Sequence, residues 1–234
     1  MAFRIETRVG CIAMLALAAW GATPVTIEVR HRHLRKGADG TLTFEEHGMK
    51  FVEEGKRAAH SREWKYSDIE RFDLAPEHIR VITYEDIRWQ AGRDRVFLFD
   101  ELPDGAAGSL YAMLESKLDQ RFVADVATLA AGRVRWESPA KMLRLASGSN
   151  GTLRITEDRV VFEGDRGSRT WRIADVDNFS SAGPFELSLT SLDGETRFQL
   201  KQQLPEDRYN ELWRLFSKAP GLKNFMTLQE THHD

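Results

Sequence analysis

Apolar and polar positions alternate over residues 40–72, the pattern of strands with one buried face. Leu42 and Phe44, then Met49 and Phe51, alternate on either side of His47-Gly48, which predicts a hairpin; Trp64 and Tyr66 continue the alternation. The same pattern returns further along. Leu153 and Ile155, then Val160 and Phe162, flank Glu157-Asp158, and Trp171 and Ile173 follow. Ile79 to Thr83 and Leu187 to Leu189 read as later strands, with Gly92 and Asp193-Gly194 as hairpin tips before the strands holding Phe97 and Phe198. The period then changes: Tyr209, Leu212, Trp213 and Phe216 fall at helical spacing, and Leu110, Leu114 and Leu118 form an equivalent row with Met113 beside it. Pro205, followed by Glu206 and Asp207, predicts the start of the second helix.

These two runs are copies of one another. Gly40-Thr-Leu-Thr-Phe44 recurs as Gly151-Thr-Leu-Arg-Ile155, and Trp64-Lys-Tyr-Ser-Asp68-Ile69-Glu-Arg-Phe72 as Trp171-Arg-Ile-Ala-Asp175-Val176-Asp-Asn-Phe179. The shared pattern is W-[KR]-x-x-D-[IV]-x-x-F. Val96 to Phe99 and Leu102-Pro103 align with Arg197 to Leu200 and Leu204-Pro205, and Tyr111/Leu114 with Tyr209/Leu212. A single duplication of this length predicts two related domains rather than a solenoid. The expected fold is mainly β with C-terminal helices (α+β), each copy a curved six- or seven-stranded antiparallel sheet or partial barrel capped by an amphipathic helix. The boundaries are a first domain over 25–123, a linker over 124–133, a second domain over 134–218 and a tail over 219–234. Val25 to Leu34 and Val134 to Leu145 provide candidate leading strands, and burial of Trp136 and Leu143 would pack the domains rigidly together. Asp68 and Asp175 recur at strand ends, where turn or capping roles fit; the repeated Trp and Phe supply core area.

Composition narrows the class. The 234 residues are 41% hydrophobic and 29% charged, ordinary for a globular chain. A net charge of −3 provides no basic field, so nucleic acid is not an expected partner. Arg4 and Arg8, an apolar run from Cys11 to Trp20 and the small residues Gly21-Ala22 predict a signal peptide over 1–22. That run is too short to span a bilayer, which needs about 20 apolar residues. The expected location is therefore periplasmic or extracellular. Cys11 is the only cysteine, so a processed chain would hold no thiol nucleophile, disulfide or thiolate metal site. No Gly-rich phosphate loop, G-x-S-x-G or H-E-x-x-H is present. The sequence nominates no catalytic residue, cofactor or metal, and a non-enzymatic role is expected.

The G-x-L-x-[FI] strand, the second strand ending in Phe, the third running into Asp-[Ile/Val] and the closing amphipathic helix resemble the bacterial PH-like and GRAM-like family. The resemblance covers 40–122 and 151–216 and implies a binding or scaffold module, with protein or, in some members, phosphoinositide as ligand. Lipid-binding members carry a basic loop between the first two strands. Here that loop is Glu45-Glu46-His47-Gly48 and Glu157-Asp158-Arg159, so the resemblance does not bring lipid binding with it.

The candidate contact surface lies where the copies differ in length. The first copy carries extra residues around Thr83 to Asp94, rich in aromatic and Arg side chains of the kind that anchor interfaces. Tyr84, Arg88, Trp89 and Arg93 are the candidates, and an added strand hairpin around Ile87 and Trp89 is the structural alternative. His31 and His33 join them, lying on one face if Val25 to Leu34 is a strand. A protein partner is the leading expectation. A peripheral membrane module and a metal-dependent hydrolase using His31 and His33 are the rival readings.

Overall fold

The computed structural model describes residues 24–32, 37–55, 60–87, 90–128, 132–144 and 148–218. The expected leader, His33, Arg88, Trp89 and the tail 219–234 lie outside them. The first half comprises β1 (Val25–His31), β2 (Ala38–Phe44), β3 (Gly48–Glu53), β4 (Arg62–Lys65), β5 (Ile69–Leu74), β6 (His78–Ile87), β7 (Gln90–Asp100) and α1 (Ala106–Leu114). A short strand, β8 (Phe122–Ala124), follows. The second half repeats the order as β9 (Trp136–Met142), β10 (Ser149–Ile155), β11 (Arg159–Gly164), β12 (Arg169–Arg172), β13 (Val176–Gly183), β14 (Glu186–Ser191), β15 (Gly194–Leu200) and α2 (Glu206–Ser217). The architecture is mainly β, with a helix closing each half.

Each half is an antiparallel meander whose last strand turns back to pair with its first: β7 with β1, and β15 with β9. Buried hydrophobic side chains fall into two clusters. One is drawn from Ile27 to Val126 and the other from Ala140 to Phe216. Period-2 alternation sends Leu42, Phe44, Met49 and Phe51 into the first cluster, and Leu153, Ile155, Val160 and Phe162 into the second. The repeated glycines have a steric cause: a Cβ on Gly40 or Gly151 would press into the carbonyl of Val52 or Glu163 on the next strand. The repeated aspartates end single 3-10 turns, Tyr66–Asp68 and Ile173–Asp175. Asp68 accepts a hydrogen bond from the Lys65 amide at 3.3 Å, and Asp175 one from the Arg172 Nε at 2.5 Å.

Strand register shifts the alignment of the copies at one place. His31 pairs with Phe99, and its counterpart Met142 with Phe198. The structural equivalent of Phe198 is therefore Phe99, not Phe97. Trp64 meets Phe99 at 78° and Trp171 meets Phe198 at 81°, with centroids 6.2 and 5.9 Å apart. A two-residue slip keeps the same face inward, so alternation alone does not distinguish the two alignments. Gly92 also moves. It lies inside β7 with φ 77°, beside register shifts that mark a bulged ladder, and the last described pair of the hairpin is Ile87 with Gln90. In α2, Leu212 and Phe216 are buried, while Trp213 is 44% exposed and Leu215 packs inward in its place.

The halves are joined by a strand rather than a loop. β8 pairs in parallel with β5 on one side and with β12 on the other, through Thr170 opposite Ala124. Among the described residues the result is one 15-stranded sheet in the order β13-β14-β15-β9-β10-β11-β12-β8-β5-β6-β7-β1-β2-β3-β4. The segment expected to be a linker from 124 thus begins inside a ladder. Trp136 packs on the core of its own half and does not hold the halves together.

Candidate functional site

Two regions carry side chains beyond what the repeated fold requires: the seam around β8 and the long β6–β7 hairpin. At the seam, Arg172 projects from β12 toward the end of α1. Its guanidinium donates to the carbonyls of Leu118 at 2.8 Å, Asp119 at 2.5 Å and Glu115. Arg159 of β11 donates to the Glu115 carboxylate at 2.9 Å and lies over the Tyr111 ring at 5.3 Å. The Thr170 hydroxyl donates to the Val126 carbonyl at 2.7 Å. Asp193, at the β14–β15 tip, bridges Arg71 of β5 and Arg169 of β12, the latter at 2.7 Å. Burial pushes the Asp125 and Asp175 carboxyls above the ordinary carboxylate range despite Arg169 and Arg172 beside them. A cavity of about 20 Å³ remains at the seam, lined by Tyr111, Phe122, Trp171 and Arg172 among others. It has room for about one water molecule and none for an organic ligand. The seam is a structural joint.

The hairpin differs. β6 and β7 run 10 and 11 residues, against 6 and 7 for β14 and β15. Tyr84 stands on β6 at 60% exposure, near enough to Arg121 to raise the pKa of that guanidinium. Arg93 is exposed on β7 and donates to the Gln90 side chain at 2.9 Å. Nearby, Glu85 holds Arg62 at 3.1 Å and Arg95 at 2.5 Å. Glu70 faces Asp94; desolvation and then the Asp94 charge push its carboxyl up. The outward rungs of this ladder are Arg80 opposite Leu98 and Ile82 opposite Val96. Their counterparts in the second half are Ser188 opposite Arg197 and Thr190 opposite Glu195. The same fold therefore accepts polar residues at these positions, and Ile82, Val96 and Leu98 are not there for the core.

His31 is not part of that surface. It is 5% exposed, with its ring among Phe51, Phe97 and Phe99 at 5.3, 5.8 and 5.1 Å. Its counterpart Met142 is also buried, so this β1 position points to the core whichever residue fills it. The expectation that His31 lines an exposed contact face is corrected accordingly, while its expected partner His33 lies outside the described residues. Among the described residues no group of three or more His, Cys, Asp or Glu side chains is placed to hold a metal ion. The structure brings Tyr84 and Arg93 to one hairpin. Sequence reading missed Ile82, Val96 and Leu98, although comparing outward positions between the copies would have found them.

Two shallow concavities, of about 270 and 340 Å³, flank the far end of β13 in the second half. The larger lies between the β13–β14 turn and the first turn of α2.

No family model matches the chain, and no curated protein matches it. Among solved structures, the chain is similar to the C-terminal domain of an unknown protein from Leishmania infantum, at 12% identity and a TM-score of 0.33, covering 49% of this chain and all of that one. It is also similar to the Spt16D Pob3N heterodimer, at 11% identity and a TM-score of 0.32, covering 76% of this chain and 96% of that one.

Proposed function

We propose that this chain is an exported, non-enzymatic binding or scaffold protein built from two PH-like units, and that its ligand is another protein. The observation that carries the reading is the outward face of β6–β7. Ile82, Tyr84, Val96 and Leu98 make an apolar strip, of which Tyr84 is 60% and Val96 47% exposed; the second half holds Thr190, Glu195 and Arg197 at the positions of Ile82, Val96 and Leu98, and an exposed Leu192 at that of Tyr84. Large apolar side chains held on a rigid ladder and rimmed by Arg80, Arg93 and Arg121 match the anchors of protein interfaces. The loops that would take a phosphoinositide head group are tight and acidic: Glu45 and Glu46 precede Gly48, and Glu157 and Asp158 precede Arg159. Glu46 is occupied by Lys117 at 3.0 Å. That chemistry favours a protein over an anionic membrane.

A photo-crosslinking residue at position 84 tests the reading in the producing cell. A discrete adduct is expected from position 84, and none from Thr190 on the second half's equivalent face. Val96→Asp should abolish the adduct while leaving the folded spectrum unchanged. Equal labelling from both positions, or adducts with lipid alone, would show that the strip is not a protein-contact surface.

A further inference from the structure

We propose that Phe225-Met226-Thr227-Leu228, which lies outside the described residues, docks in the groove beside β13 and adds to that strand in parallel, as β8 adds to β5. The duplication supplies the argument. β5 and β13 are counterparts through Phe72 and Phe179. On β5 the edge facing away from β6 is filled from this same chain: the Phe72 N–H donates to the Arg121 carbonyl at 3.0 Å, and the Asp125 N–H donates to the Leu74 carbonyl at 2.8 Å. Phe122 of the added strand meets Phe72 edge-on and lies beside Tyr111 of α1, with centroids 5.9 and 5.5 Å apart. β13 is the last strand of the sheet and, among the described residues, pairs only with β14.

The two ends of the sheet are finished differently. β4, at the other end, exposes Arg62, Glu63 and Lys65, charged side chains of the kind that blunt an edge against pairing. β13 carries no charge from Phe179 to Gly183. A strand edge of that kind is a template for strand addition. The open groove of about 340 Å³ lies along it, between Ser181 to Pro184 on one side and Glu206 and Tyr209 of α2 on the other.

The chain beyond α2 has the length and the residues to fill that edge. Phe122 is the eighth residue after the end of α1, and Phe225 is the eighth after the end of α2. In each, a second apolar residue and then a small one follow: Phe122-Val123-Ala124 and Phe225-Met226-Thr227. Phe216, near the end of α2, stacks on Phe179 with centroids 4.2 Å apart, so the helix ends beside the strand to which the chain returns. Pro220-Gly221 supplies the turn. The register of Phe72 with Phe122, carried over, sets Phe225 opposite Phe179 and Thr227 opposite Ser181. Leu228 then comes to Ala182, where Leu204 and Tyr209 line the groove, and the four residues bring no charge to Glu206. Closed in this way, β13 cannot pair edge to edge with another copy. None of this depends on the ligand of the β6–β7 strip, and loss of the position-84 adduct leaves it standing.

The test compares amide hydrogen exchange in the full chain and in a chain ended after Lys218. The Phe179 amide, counterpart of the Phe72 N–H, should exchange at least about ten-fold faster in the shortened chain, while Leu153 on the central strand β10 keeps its rate. Leu228→Pro removes the donor equivalent to the Asp125 N–H and should release the Phe179 amide in the full chain as well. Ser181→Cys with Thr227→Cys, in a chain also carrying Cys11→Ser, reports the occupant. The two thiols should join within one chain, because facing positions on adjacent strands lie within disulfide reach. Exchange at Phe179 that neither the truncation nor Leu228→Pro alters overturns the proposal. So does a disulfide that forms only between two chains, which would give the groove to a second copy.

Discussion

A single guanidinium does much of the joining. Arg172 meets the carbonyls of Glu115, Leu118 and Asp119, in the turn that follows α1. It also holds Asp175, whose carboxyl burial pushes above the ordinary range. Hydrogen bonds to a charged group contribute about 1.5–3 kcal/mol each when no partner replaces them. Arg172→Ala should therefore lower unfolding free energy by about 3 kcal/mol. Arg172→Lys should recover less than about half of that, because an ammonium lacks the planar fork. Denaturant titration of the three proteins measures both values. None of this was legible in W-[KR], where Lys65 and Arg172 read as equivalent strand residues. The role comes from the neighbouring half, which only the second copy's β12 faces. His31 was misread for a related reason. Its spacing places it on a strand face, but which face is inward depends on pairing with Phe99.

At the scale of elements, β8 changes the molecule most. Its three residues close the edges of β5 and β12 at once, so neither half keeps an open strand at the joint. A proline within it removes a ladder N–H and clashes with the parallel pairing, at a cost of about 3 kcal/mol. With Val123→Pro the two cores should unfold in two calorimetric transitions, against one for the parent chain. A single transition in the variant would mean that the side chains of the seam suffice to couple the halves. Period-2 alternation revealed the long strands because their faces differ in polarity. It passed over Phe122-Val123-Ala124 because all three residues are buried, as a strand covered on both faces requires. The hairpin shows the opposite case: the added length was visible in the spacing, and the ladder rather than a separate strand pair absorbed it.

For the whole molecule, acidity acts through the seam in a direction opposite to ordinary acid loosening. Burial raises the folded pKa of Asp125 and Asp175 above the unfolded value, so the native state binds protons more readily than the unfolded chain. Their contribution to stability is greatest below the ordinary carboxylate pKa and declines as pH rises through the raised values. Asp119 behaves in the reverse sense: although burial opposes it, hydrogen bonds from Arg121 hold its pKa down, and its contribution is lost only as pH falls below the ordinary range. Asp125→Asn should flatten the change in stability between pH 7 and pH 5 relative to the parent chain. Denaturation midpoints at the two pH values check this, and an unchanged slope would show that Asp125 is ionised and solvated at both.

The amino-acid pattern by itself determined the strands, the period change to a helix in each copy, and the duplication, because alternation, helical spacing and repeated Trp, Asp and Phe are local and survive without knowledge of neighbours. Tertiary structure alone decided the alignment of Phe99 with Phe198, the inward face of His31, the strand that joins the halves and the apolar strip beside Tyr84. Each of these depends on which segment lies alongside which, and a pattern of period two reads the same after a slip of two residues.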